Sequence, residues 1–163
     1  MLDQLIKLVE QNAGDAIVNN PAIPNQFNND AIQEVAQQIF TGLQGQVQQG
    51  NLQQVVGMFK GSSGSSLTSN PMVAQIISSV AGNFAAKFGV SPQLAQQVVS
   101  GLVPQVMNQF VNKTNDPNDG DFDLQDMMRN FSGNSGLDIG DLLGQFSGGK
   151  TGGLGNVLGK LFR

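Results

Sequence analysis

Residues 70–106 read NPMVAQIISSVAGNFAAKFGVSPQLAQQVVSGLVPQV, and this stretch decides the fold. Apolar residues recur every three or four positions in both halves of it, which is the period of amphipathic helices. Asn70-Pro71 and Ser91-Pro92 each place a capping residue before a proline, the arrangement that begins a helix. Gly89 follows the first apolar series and is suited to end it. Because two residues separate Gly89 from Pro92, the sequence predicts an antiparallel helical hairpin.

Three further apolar series with the same period precede the hairpin. They cover residues 2–9, 32–47 and 52–59. Asp30, with Gln33 three residues later, has the spacing of a capping box and is predicted to begin the second helix. The intervening residues 12–29 and 60–70 are rich in Gly, Pro, Asn or Ser, so we expect a loop and a flexible linker there. The whole pattern predicts an all-α fold with a compact core of about five helices, in which the fourth and fifth form the hairpin.

Two of the predicted helices carry related sequences. Residues 35–47 read VAQQIFTGLQGQV and residues 94–106 read LAQQVVSGLVPQV, with seven of thirteen positions identical. The shared Gly42 and Gly101 lie in the middle of their helices, where glycine costs about 1 kcal/mol relative to alanine. Close approach of a neighbouring helix would offset that cost, and we expect it at both positions. Coincidence between two Gln-rich amphipathic helices is the alternative explanation.

A shorter repeat occupies the end of the chain. Residues 122–133 read FDLQDMMRNFSG, residues 137–148 read LDIGDLLGQFSG, and a degenerate copy follows at 154–162. Units this short are marginal as isolated helices and need a second surface, so we expect them to be interaction elements. The chain therefore divides into a helical core over residues 1–112, an acidic loop plus a short helix over 113–132, and a Gly-rich tail of short amphipathic repeats over 133–163.

Composition restricts the possible chemistry. Charged residues make up 12% of the 163 residues, the formal net charge is −4, and His and Cys are both absent. Without a basic patch, nucleic acid is an unexpected partner. Without imidazole or thiol groups, histidine-based triads, thiol catalysis and the usual zinc sites are excluded. We expect a non-enzymatic protein with no catalytic residues and no bound cofactor. The 36 Asn and Gln side chains keep the surface polar without charge and also permit self-association.

The sequence also bears on the compartment. The first residues lack the basic and apolar regions of a secretory signal. No run approaches the roughly 20 apolar residues that a membrane-spanning helix needs. The sequence therefore predicts a cytoplasmic protein.

One segment has the composition of a cation site. Residues 115–126 read NDPNDGDFDLQD, and the carboxylates of Asp119, Asp121, Asp123 and Asp126 surround a glycine turn with partial calcium-loop spacing. A proline occupies one ligand position, and the last ligand is Asp where a longer Glu is usual. Turn and helix-cap chemistry, with Asp123 as the cap of the next helix, is the competing interpretation and the one that we favour.

Three motifs carry a family resemblance. DAIVNNPAIP at residues 15–24, GLVPQV at 101–106 and GLDIGDLLG at 136–144 resemble the bacterial YidB-like family of unknown function. The likeness spans most of the chain and implies an all-α bacterial protein without an assigned activity. It transfers no functional residue.

Two functions remain open at this point. The first is protein–protein interaction or self-assembly through amide-rich helical faces and the tail repeats. The alternative is binding to a membrane surface through the C-terminal segment, where Lys150, Lys160 and Arg163 accompany apolar residues.

Overall fold

A computed structural model describes residues 2–61, 65–116 and 118–132, and over these residues the chain is helical without a strand. The α-helices are α1 (Leu2–Asn12), α2 (Asn28–Gln48), α3 (Leu52–Gly61), α4 (Ser65–Thr68), α5 (Pro71–Phe88), α6 (Pro92–Thr114) and α7 (Leu124–Ser132). A short π-helix, Gly14–Val18, and two 3-10 turns, Asn25–Phe27 and Gly120–Phe122, connect them. The all-α prediction is confirmed.

The α5–α6 hairpin forms as its capping residues predict. The Asn70 side chain accepts a hydrogen bond from the Met72 backbone N–H at 2.9 Å and begins α5. Gly89 ends α5 in the left-handed conformation, with φ of 65°. The Ser91 hydroxyl accepts from the Leu94 N–H at 3.2 Å and begins α6. Two caps and one left-handed glycine therefore set the length and direction of both helices.

The core lies between α2 and α6. Helix α2 contacts α1, α3, α5 and α7, and α6 contacts α1, α3, α4 and α5, so the two longest helices share most of the buried surface. The largest fully buried side chains are Leu5, Leu8, Ile17, Ile23, Ile39, Leu43, Phe59, Leu67, Phe84, Leu102, Phe110 and Phe131. Burial of these apolar groups is the main driving force for the fold.

The start of α2 differs from the prediction. The helix begins at Asn28, preceded by Phe27, which makes no side-chain capping bond, and Asp30 lies inside the first turn. The Asn25–Phe27 turn runs directly into α2, and the Asn28 N–H donates to the Asn25 carbonyl. Because the preceding turn supplies a backbone acceptor, no side-chain cap is used at this end. The prediction that Asp30 caps the helix is wrong.

Both predicted irregular segments contain ordered apolar anchors. Ile17 lies on the π-helix and Ile23 in the following loop, and both are buried in the core. In the segment predicted as a flexible linker, residues 65–68 form one helical turn and Leu67 is fully buried. The linker prediction is therefore wrong for residues 65–70, because one leucine attaches the connection to the core. Residues 62–64 lie outside the described part.

The first unit of the tail repeat packs on the core. Phe131 of α7 lies 5.2 Å from Phe40 of α2, and Phe122 lies 5.6 Å from Phe110 of α6, measured between ring centroids. Met127 and Met128 are also fully buried. The core thus continues past residue 112, the boundary that the sequence suggested, to Phe131. The repeat units at 137–148 and 154–162 lie outside the described residues.

Candidate interaction site

A row of polar side chains joins α2 to α5. Three residues of α2, spaced four apart and therefore on one face, make up what we call the α2 stripe: Gln38, Gly42 and Gln46. The Asn83 amide donates to the Gln38 side-chain oxygen at 2.8 Å. The Gln46 amide donates to the Gln75 side-chain oxygen at 3.1 Å. Each glutamine of the stripe therefore has an amide partner on the facing helix.

Glycine lies at the centre of this contact. A Cβ atom placed on Gly42 would lie 3.0 Å from Cγ1 of Ile76, which is closer than most real Cβ contacts. The absence of a side chain therefore lets α5 approach α2 and seat Ile76 against the helix backbone. The predicted close approach at Gly42 is confirmed.

An ion pair closes one end of the α2–α5 contact. Glu34 is 7% exposed and is the one buried charged residue in the described part of the chain. Its carboxylate accepts from the Lys87 ammonium at 2.6 Å and from the Gln38 amide at 2.9 Å. Both carboxylate oxygens are thus hydrogen-bonded, as a buried charge requires.

The related sequence on α6 presents the same three residues, and no helix within residues 2–61, 65–116 and 118–132 packs on them. The α6 stripe consists of Gln97, Gly101 and Gln105, which correspond to the α2 stripe in the internal repeat. All three are exposed, and a Cβ atom on Gly101 would meet nothing within 4 Å. Neither glutamine has a hydrogen-bond partner among the described residues. The predicted close approach at Gly101 is wrong for contacts within this chain, because α5 packs on another face of α6.

The α6 stripe lines a cleft of about 680 Å³. Beneath the stripe lie the apolar side chains of Leu94, Val98 and Leu102. The opposite wall is formed by the end of α1 and by the π-helix, with Gln11, Asn12, Gly14, Asp15, Ala16 and Asn20. Asp15 is the single ionisable side chain that lines the cleft, and its carboxylate accepts from the Asn19 amide at 3.2 Å. The cleft therefore offers an apolar floor with neutral amides around it.

An amide pair fixes the wall of the cleft to α6. Asn12 and Gln109 exchange two hydrogen bonds of 3.0 Å each, so both amides act as donor and acceptor. Asn12 also donates to the Leu8 carbonyl at 2.7 Å. These bonds hold the end of α1 beside α6 and keep the cleft open. The π-helix next to it is a rare element that is frequent at functional sites, and no sequence pattern indicated it.

The carboxylates of the acidic loop point to separate partners. Asp119 accepts from the Lys113 ammonium at 3.2 Å and from the Asp121 N–H at 3.2 Å. Asp123 accepts from the Asp126 N–H at 3.4 Å at the start of α7, and the Asp126 carboxylate lies 3.5 Å from Arg129. Over the described residues, no three acidic side chains form a group that could hold a metal ion. Calcium binding by Asp119, Asp121, Asp123 and Asp126 stays an untested alternative, and it would require Asp119, Asp123 and Asp126 to exchange these partners.

Comparisons with protein-family models, with curated proteins and with solved structures found no match. The resemblance to the YidB-like family therefore stays a prediction. Within the described residues, no helix has both the length and the apolar character needed to span a membrane.

Proposed function

We propose that this chain is a non-enzymatic interaction protein that self-associates through the surface of the α5–α6 hairpin. The observation that carries the proposal is the near absence of charge on this surface. Residues 61–112 contain one charged side chain, Lys87. The exposed positions of α5 and α6 are instead occupied mainly by Ser, Gly, Ala, Gln and Asn.

Such a surface favours contact between protein molecules. Charged residues usually make up about a quarter of a globular chain, and net charge keeps copies apart in solution. Lys, Glu and Asp are depleted where protein interfaces are fully buried. Small side chains allow two helices to approach closely, and amides on one helix can pair with amides on another. The α2–α5 contact demonstrates both effects inside this molecule, at Gly42 and at the Gln38–Asn83 bond.

The groove between α2 and α5 extends the same uncharged surface. It has a volume of about 640 Å³ and is lined by Thr41, Gly42, Gly45, Gln46, Gln49, Ala74, Gln75, Ile76, Ser78 and Ser79. No ionisable group lies among them. Among the described residues that line this groove and the cleft beside α6, no pair of ionisable groups could exchange a proton with a substrate, which supports a binding function over an enzymatic one.

We further propose that the protein is bacterial and cytoplasmic. The support for a bacterial source is the resemblance of three motifs to the YidB-like family.

Sedimentation velocity over a wide concentration range tests the self-association. We expect the average mass to rise above 17.2 kDa as concentration increases. Gln97→Lys and Gln105→Lys each place a charge on an exposed position of the hairpin surface and should shift the rise to higher concentration. Gln53→Lys and Gln54→Lys make the same change at exposed positions of α3 and should leave it unaltered.

Two results would contradict the proposal. One is a mass of 17.2 kDa at every concentration. The other is an equal loss of association in the α5–α6 and α3 variants, which would indicate a response to net charge alone. A monomer that sediments with anionic vesicles only when residues 150–163 are present would favour the membrane-surface alternative.

A further inference from the structure

We infer that the α6 stripe is the contact by which two copies of this chain associate, with α6 of each copy packed antiparallel against the other beside Gly101. The inference rests on the self-association proposed above and names its interface. It follows from the internal repeat, from the symmetry of the stripe and from the cleft that leaves it open.

The same stripe is already occupied by a helix elsewhere in the molecule. On α2, Gln38 and Gln46 bind amides of α5, and Gly42 receives Ile76 between them. The sequence that forms this seat recurs on α6 with Gln, Gly and Gln at the same spacing. Because the two glutamines and the central glycine of the α2 stripe recur on α6, the exposed α6 stripe has the polar groups and the small central residue with which α2 docks a helix.

A second copy of α6 complements the stripe. The order Gln, Gly, Gln with equal four-residue spacing is the same in both chain directions. An antiparallel pairing therefore sets Gln97 opposite the second copy's Gln105, and Gln105 opposite the second copy's Gln97. Each amide side chain has both a donor and an acceptor, so every glutamine can be satisfied by its symmetry mate. This is the self-complementarity that a two-fold homodimer requires.

The surroundings of Gly101 suit this occupant. No atom of the described residues lies within 4 Å of a Cβ placed on Gly101, so a second helix can approach the α6 backbone there. Leu94, which is only partly buried, supplies an apolar contact beside the stripe. The nearest ionisable lining group is Asp15, on the far wall, so the two copies bring no charge of α6 itself into contact.

Gly101→Ala separates the interface from the fold. Alanine stabilises a helix relative to glycine, and its Cβ meets no atom within 4 Å in the part of the chain that the structure describes, so we expect a higher melting temperature. The same methyl group lies between the two copies and should raise the dimer dissociation constant by about tenfold or more, the effect of losing roughly 1.4 kcal/mol. Gly57→Ala is the matched control, since Gly57 is an exposed glycine of α3 whose Cβ would also meet nothing within 4 Å. It should raise the melting temperature and leave the dissociation constant unchanged.

Disulfide trapping tests the register, because the natural chain contains no cysteine. In the antiparallel pair, an equimolar mixture of Gln97→Cys and Gln105→Cys chains should form a covalent dimer on mild oxidation. Either variant alone should form no covalent dimer under oxidation. In the antiparallel pair, position 97 of one copy lies about 12 Å along the helix axis from position 97 of the other, from a rise of 1.5 Å per residue, and the same holds for position 105. Cysteines whose Cα atoms are more than about 7 Å apart cannot form a disulfide.

The outcomes distinguish the inference from the proposed function. If the unmodified chain associates but Gly101→Ala keeps the same dissociation constant, the α6 interface is wrong and the self-association stands. Equal crosslinking of the single variants and of the mixture would also overturn the antiparallel register. If the unmodified chain stays monomeric at every concentration, the self-association and this interface fall together.

Discussion

Replacing Gly42 with alanine measures how closely α5 approaches α2. The new Cβ would lie 3.0 Å from Cγ1 of Ile76 and 3.6 and 3.7 Å from its Cδ1 and Cγ2. Ile76 is buried, and a β-branched side chain has few alternative rotamers, so relief requires a shift of α5 or a strained side chain. Overpacking of this kind costs about 2 kcal/mol, within a usual range of 1–3.

The helix itself gains from the substitution. Alanine is about 1 kcal/mol more favourable than glycine in a helix interior, so the net loss in the free energy of unfolding should be about 1 kcal/mol. Gly101→Ala, at the equivalent position of the repeat, has the same gain and no clash, and should stabilise by about 1 kcal/mol. The two alanine variants therefore differ by about 2 kcal/mol, although the substitution and the local sequence are the same.

Urea denaturation followed by far-UV circular dichroism gives both values, at a protein concentration low enough that association does not contribute. A double-mutant cycle with Ile76→Ala identifies the contact. The loss caused by Ile76→Ala, about 2–5 kcal/mol alone, should shrink in the Gly42→Ala background because the new methyl group fills part of the cavity. If Gly42→Ala stabilises the protein as much as Gly101→Ala does, the close approach of α5 is wrong.

Three further predictions concern other parts of the structure. Lys87→Met leaves the Glu34 carboxylate with Gln38 as its one partner and should lower the free energy of unfolding by about 1–2 kcal/mol. Adding Glu34→Met should restore part of this loss. If the losses from the two substitutions simply add in the double variant, Glu34 and Lys87 are not energetically coupled. Millimolar calcium should leave the melting temperature unchanged, because Asp119 is paired with Lys113 and Asp123 caps α7. A rise in melting temperature that Asp119→Ala and Asp123→Ala each abolish would instead establish calcium binding by this loop. Phe131→Ala should cost about 3–5 kcal/mol, and a chain ending at residue 132 should keep the melting temperature of the full chain; a negligible effect of Phe131→Ala would show that α7 is not part of the core.

Local sequence signals were sufficient at the starts of α5 and α6, where a capping side chain bonds to a backbone N–H two or three residues further along the chain. Asn70 and Ser91 cap α5 and α6 as their position before proline indicates, and Gly89 has the left-handed conformation that ends a helix. The fold class and the hairpin follow from these signals together with the apolar period. Local signals failed at Asp30, because the carbonyl of Asn25 in the preceding 3-10 turn accepts from the Asn28 N–H, and no local pattern predicts that turn.

Tertiary contacts decided what the sequence left open. Leu67 is one apolar residue in a Gly/Ser-rich stretch, and only the packed core shows that it is an anchor. Gly42 and Gly101 are indistinguishable in the repeat, yet one faces Ile76 and the other faces an open cleft, since that depends on where α5 lies. The sequence indicated that both glycines lie in the middle of a helix, but only the packing of α5 shows that Gly42 is covered and Gly101 is exposed.

The Asn12–Gln109 amide pair also has a consequence for the order of events during synthesis. Its two residues are separated by 97 positions, and α1 packs on both α2 and α6. At about 5–20 residues per second, the ribosome needs roughly 5–20 s after completing α1 before its second neighbour exists. Throughout that interval Leu5, Leu8 and Val9 lack the α6 side of their final surroundings, so the apolar face of the N-terminal helix stays incompletely covered until α6 has been synthesised.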